Sequence, residues 1–221
     1  METRMNYFDA YKEFGNEVIV DKKLKIVKMK KTRDSLTWLY EKFISKEWLD
    51  DPCCLDSIEH VKNNPREIVS SFEGYCYNHN KIENSIHSIE NFCHKLVYYE
   101  KERYFEELTG LFLSTLTNYI SNFRLKDNNE INFDFFNLTK KIDYVGFQMK
   151  KGTLRIEGNV GNNFANYAGG ATIILNGDAG TEVGYGACAQ SRIFLRGNFV
   201  SIGDYISGAE IYHKRKRIWP R

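Results

Sequence analysis

The chain has 221 residues, 42% hydrophobic and 27% charged, with a net charge of +2; this balance excludes a disordered chain and a uniformly basic nucleic-acid-binding body. No apolar run approaches the roughly 20 residues that cross a bilayer, and the opening METRMNYFDAYKEFG lacks the apolar core of a secretory signal. Five cysteines, Cys53, Cys54, Cys76, Cys93 and Cys188, are odd in number and scattered, so the expectation is a cytoplasmic protein with reduced thiols.

In chain order, EVIVDKKLKIVKM at 17–29 has β-branched runs on either side of a polar break and predicts a short hairpin. Asp34 or Ser35 then caps LTWLYEKFISKEWL, in which Leu36, Leu39, Phe43 and Trp48 fall on one helical face. Asp51 before Pro52 and Asn64 before Pro65 repeat one start signal. A side-chain acceptor sits at the N-cap, and a proline follows where its missing N–H costs nothing. Helices over ~52–62 and ~65–78 follow from it. From 81 to 123 there is no proline and one glycine, Gly110. Apolar residues recur there at three- and four-residue spacing, which predicts a long helix or a helical pair broken near Gly110. LKDNNE at 125–130 is the linker candidate, so the first region spans 1–130.

Beyond the linker the period changes. Leu154, Ile156 and Gly158 are followed by Ile173, Leu175 and Gly177, and then by Ile193, Leu195 and Gly197. Apolar residues two apart have the strand period, and each glycine leads into Asn159, Asp178 or Asn198, which is corner chemistry. A second bend follows each corner, with Asn166-Tyr167, Gly184-Tyr185 or Asp204-Tyr205. Gly146 to Gly152 matches the approach to a strand, and Ile211 and His213 hold the places of strand residues. About four turns therefore lie over 131–213, with Leu154, Ile156, Ile173, Leu175, Ile193 and Leu195 pointing inward. One such turn cannot stand alone. Three buried aliphatic side chains contribute about 1.5–3 kcal/mol each, against about 1.5 kcal/mol per residue to order the turn. A dinucleotide loop needs G-x-G-x-x-G between a strand and a helix. Gly158, Gly161, Gly177 and Gly180 instead lead into more strand-like sequence, so these glycines and Gly197 are read as corners that need positive φ or close backbone approach.

On IEGNVGNNFANYAGGATIILNGDAGTEVGYGACAQSRIFLRGNF, with VGFQMKKGTLRI before it, the region resembles the GXXGXXXG β-helix domain that occurs in glutamate synthase, in its large polypeptide, and in formylmethanofuran dehydrogenase. The resemblance covers a little over a third of the chain. It implies a right-handed parallel β-helix whose role is structural, with the chemistry done elsewhere. Ala165 stands where the family's later glycine would be, and Val200 replaces the second corner glycine of the last full turn.

Cys76-x-x-His79 and Cys93-His94, with Cys53 and Cys54 nearby in sequence, offer metal-like ligands but lack the paired elements of a structural zinc site. No metal and no cofactor is expected. Glu100, Glu102, Glu106 and Glu107 stand among Lys101 and Arg103 and read as a solvated helix face, so no catalytic residue is assigned. The Asn159, Asp178 and Asn198 ladder reads as hydrogen bonding along the stack. Five of the cations fall in the last nine residues, HKRKRIWPR. This basic tail, 214–221, is expected to lie outside the core, with Lys214, Arg215, Lys216, Arg217, Trp219 and Arg221 contacting an acidic partner. The whole reads as an α+β chain, helical first and solenoid second, acting as a non-catalytic scaffold for protein assembly or as a homo-oligomer. Two other readings stay open: an accessory component or enzyme of a glutamate synthase-like or formylmethanofuran dehydrogenase-like complex, and a nucleic-acid-associated protein using its tail.

Overall fold

Helix α1 (Ser35–Ile44) opens the computed structural model, which describes residues 35–45, 63–78, 86–123, 130–188 and 190–220. The hairpin expected at 17–29, the helix at ~52–62 and the linker up to residue 129 lie outside the described residues. So do Cys53, Cys54, His79 and Arg221. Helix α2 (Pro65–Asn78) starts at the proline as expected, and the Asn64 backbone carbonyl accepts the Glu67 N–H at 3.1 Å.

The long segment expected over 81–123 breaks earlier than Gly110. Helix α3 (Ile86–Cys93) gives way to a short 3-10 helix, Leu96–Tyr99, and α4 (Phe105–Phe123) then runs unbroken through the glycine. Gly110 has a tertiary purpose. A Cβ there would sit 1.6 Å from the Asp143 carbonyl oxygen, so the glycine lets the first solenoid turn press onto the helix. That contact offsets the ~1 kcal/mol a mid-helix glycine costs relative to alanine.

Helix α4 is enclosed on nearly every side; from Phe105 to Ser121 only Glu106 is not buried, and the buried set includes the polar residues Thr109, Ser114, Thr115, Thr117, Asn118 and Ser121. Phe112 on one flank meets the rings of Tyr40, Phe43, Phe72 and Phe92 at centroid distances of 5.0–5.6 Å. Aromatic pairs at this separation add about 0.5–1.5 kcal/mol each beyond burial. Tyr40 and Thr109 share a 2.6 Å hydroxyl hydrogen bond, so neither enters the cluster unsatisfied. On the other flank Ser114 Oγ donates to Tyr144 O and accepts the Phe147 N–H, and Asn118 Nδ2 donates to Phe147 O. These bonds dock the helix on the first bend of the solenoid.

Five parallel strands follow in spatial and sequence order: β1 (Glu130–Asp134), β2 (Thr153–Glu157), β3 (Thr172–Asn176), β4 (Arg192–Leu195) and β5 (Glu210–His213). A sixth, β6 (Lys216–Trp219), pairs antiparallel with β5. The expected inward rows are present. Ile131, Leu154, Ile173, Ile193 and Ile211 stack in register, as do Phe133, Ile156, Leu175 and Leu195, and all are at most 1% exposed. The result is an α+β chain with a parallel-strand solenoid of about four turns. Among the described residues no helix is long and apolar enough to cross a membrane.

The wall opposite the strands is built from bends whose backbone alternates in hand. Residues 144, 146 and 148, then 163, 165 and 167, then 182, 184 and 186 all have positive φ. Alternate N–H groups consequently point to opposite neighbours. Asn163 N and Tyr167 N donate forward to Thr181 O and Tyr185 O, while Ala165 N donates back to Val145 O. The bends are thus bonded on both sides without being strands. Ala165 holds φ +57 at the place of Gly146 and Gly184, and its methyl group is fully buried. The departure from glycine costs about 1–2 kcal/mol of left-handed strain.

The corner glycines act mainly through closeness. Only Gly158, at φ +104, is left-handed. At Gly177 a Cβ would lie 2.0 Å from Gly158 O, and Gly161, Gly180 and Gly197 are likewise pressed on the preceding turn. The polar ladder beside them is closed along the stack. Asn159 Oδ1 accepts the Asp178 N–H at 2.8 Å, Asp178 Oδ1 accepts the Asn198 N–H at 2.7 Å, and Asn198 Oδ1 accepts from Lys214 Nζ at 3.3 Å. Each side chain thus satisfies a donor on the following turn or hairpin.

The first edge of the sheet is covered by the helices. Glu90 Oε1, on α3, accepts both the backbone N–H and the side-chain Nδ2 of Asn132, each at 3.0 Å. The Glu100 carboxylate accepts from Thr139 N, Thr139 Oγ1 and Lys140 N, Glu106 pairs with Lys140 at 3.2 Å, and Glu107 is buried. The helix face expected to be solvated is therefore, apart from the exposed Glu102, a clamp on the first turn.

Candidate functional site

The basic tail is not loose. Lys214 and Arg215, with φ of +47 and +71, form a two-residue turn that sends β6 back along β5. Trp219 pairs with Ile211, and Ile218 and Trp219 pack on the core, so the expectation of a tail outside it is corrected. The physical reason is that β5 would otherwise expose a full row of unpaired backbone groups, and the hairpin covers that edge with a strand bearing Lys216 and Arg217.

Outward-facing positions of the last turns supply what the tail alone lacks. Ile174, Phe194 and Tyr212 are aligned in register on β3, β4 and β5, each half-buried. The rings of Phe194 and Tyr212 are stacked, with centroids 4.8 Å apart and planes 13° from parallel. One step further along the strands, Arg196 N donates to Leu175 O and Lys214 N to Leu195 O, which continues the ladder and sets Arg196 and Lys214 as a second, cationic row. With Arg215 these residues line a concavity of about 710 Å³.

The electrostatics of this face are one-sided. Of the carboxylates bordering it, Glu210 is engaged by Arg217 at 3.1 Å, by Arg192 at 3.6 Å and by the Tyr212 hydroxyl at 2.9 Å, and Glu157, in register with Asn176, accepts from the Asn176 Nδ2. The hydrogen bond to Glu210 holds the Tyr212 hydroxyl above its ordinary pKa, with partial desolvation adding to it. Arg196, Lys214 and Arg215 are exposed and have no ion-pair partner among the described residues.

The remaining tail residues go elsewhere. Lys216, Ile218 and Trp219 border a second hollow of about 600 Å³ with Phe199, Ile202 and Asp204. The turn therefore divides the basic run between two surfaces. Lys214 and Arg215 are brought together with Ile174, Phe194, Arg196 and Tyr212, which sequence reasoning had not assigned.

Of the metal-like spacings, Cys76, Cys93 and His94 lie among the described residues and His79 does not. Cys76 and Cys93 are buried, burial pushes the Cys76 thiol up to about 12 and raises Cys93 as well, and His94 is exposed. Such thiols are poor nucleophiles and poor ligands. Among the described residues no group of three or more His, Cys, Asp or Glu side chains is placed to hold a metal ion. No protein-family model matches the chain, and no curated protein and no solved structure is significantly similar to it.

Proposed function

We propose that the chain is a non-catalytic scaffold that holds a protein partner on the outer face of its solenoid sheet. The observation that carries this reading is the aligned row Ile174, Phe194 and Tyr212, apolar and half-buried where an outer strand face is ordinarily polar. Aromatic residues beside arginines are the groups that dominate protein interfaces. The rigid coil beneath them keeps the ordering cost of binding low. Resemblance of the turns to the GXXGXXXG β-helix domain supports the same assignment, since there the domain's role is structural. The scattered thiols support a cytoplasmic setting.

The test is co-purification from native cells. The tagged full chain is expected to retain a stoichiometric partner that Phe194→Asp loses, while the variant still unfolds cooperatively, a few degrees lower. Phe194 faces outward and is half-buried, so the substitution forfeits its stacking on Tyr212, about 0.5–1.5 kcal/mol, and part of its apolar burial. Equal recovery of every companion protein by both chains contradicts docking on this face.

A further inference from the structure

We infer that the segment docked on this face is an extended acidic one, in which apolar residues alternate with Asp or Glu; the inference rests on the docking reading above and names its chemistry.

Two parallel stripes define the recognition. Ile174, Phe194 and Tyr212 form the apolar stripe, and Arg196 and Lys214, with Arg215 beyond them, form the cationic one. The stripes are two residues apart along the strands, about 6.6 Å at ~3.3 Å per residue. An extended chain laid across the strands points successive side chains to opposite sides. It therefore presents one set to the apolar stripe and the alternate set to the cations. The charge balance selects acids for the second set. The residues lining the concavity include three cations and no carboxylate, and Glu210 nearby is already held by two arginines and a tyrosine hydroxyl.

Ring geometry separates this partner from a nucleic acid. Single strands bind by stacking bases on exposed aromatic faces. Here the faces of Phe194 and Tyr212 are turned to each other along the stack, and Phe194's other in-register neighbour is Ile174. The edges that remain suit aliphatic side chains and not bases. The cations are held in place as well: Lys214 and Arg215 form a turn pinned by strand pairing on both sides, and Lys214 Nζ donates to Asn198 Oδ1.

The experiment is a fluorescence-anisotropy titration of the full chain with three labelled probes: a peptide alternating Asp and Leu, the same peptide with Lys for Asp, and a short oligouridine. The acidic peptide is expected to bind, to weaken with added salt, and to lose about tenfold in affinity or more with Arg196→Glu/Arg215→Glu, both changes being at exposed side chains. The lysine peptide is expected not to bind. Failure of the acidic peptide to bind, or equal binding by the charge-reversed chain, overturns the inference, as does tighter and equally charge-sensitive binding of oligouridine. The docking reading is judged separately: a native partner lost from Phe194→Asp but kept by Arg196→Glu/Arg215→Glu leaves docking standing and removes the acidic segment.

Discussion

A chain shortened to begin at Glu130 is expected to aggregate at micromolar concentration, whereas the full chain stays monodisperse by light scattering. Removing the helices uncovers the first edge of the sheet, because Asn132 loses the Glu90 carboxylate that accepts its N–H. It also strips the first bend, where Asp143 N donates to Glu106 O and the Tyr144 and Phe147 backbone groups depend on Ser114 and Asn118. Ile142 beneath Gly110 loses its cover. An open parallel edge beside fresh apolar surface is a template for further strands, and a terminal repeat without its cap is insoluble for the same reason. A well-behaved monomer from the shortened chain would mean that the helices are dispensable to the coil.

Replacing Gly177 is expected to be the most damaging single change in the coil, costing more than about 3 kcal/mol on unfolding in urea. A Cβ there would lie 2.0 Å from Gly158 O, 2.5 Å from Gly158 C and 3.1 Å from Asn159 N. All three are backbone atoms, so no side chain can swing aside. The two turns would have to part, and with them the Asp178 N–H to Asn159 and Val160 N–H to Asp178 bonds. Alanine should do nearly as much harm as valine, since the clash is at Cβ itself. Gly74 is the control. It is exposed in α2 with nothing within 4 Å of an added Cβ, so Gly74→Ala is expected to stabilise by about 0.5–1 kcal/mol. Similar outcomes at the two glycines would contradict the close packing of the turns.

The contrast between these glycines marks what can be read from sequence. The inward rows were legible because one turn constrains the next: Leu154, Ile173 and Ile193 recur at intervals of 19 and 20 residues, and a slip by one residue in pairing would turn each of them outward. Gly110 was misread because a glycine in a helical pattern looks like a break. Its purpose is the Asp143 carbonyl 33 positions away, which no local pattern contains. The hairpin at Lys214 and Arg215 escaped for a similar reason. Its turn needs two positive φ values, ordinarily announced by Asn-Gly, and two long cations carry them here. The candidate site was half legible. Its cations stood out as a basic run, but Ile174, Phe194 and Tyr212 lie at the outward place of each strand block, between the inward residues that defined the repeat. Aligning the blocks and asking what fills that middle place is the signal that finds them.

The coil itself is tested most directly by paired cysteines across β3 and β4. Thr172→Cys with Arg192→Cys, aligned in the parallel register, is expected to close a disulfide on mild oxidation. Neighbouring strands run ~4.8 Å apart, inside the Cα separation of about 4.4–6.8 Å that a disulfide bridges. Asn176→Cys with Arg192→Cys, out of register, is expected to stay reduced, as read by peptide mass mapping. The reverse pattern, with the second pair closed and the first open, would make the two strands antiparallel and contradict both the stacked coil and the outward row on which the docking face depends.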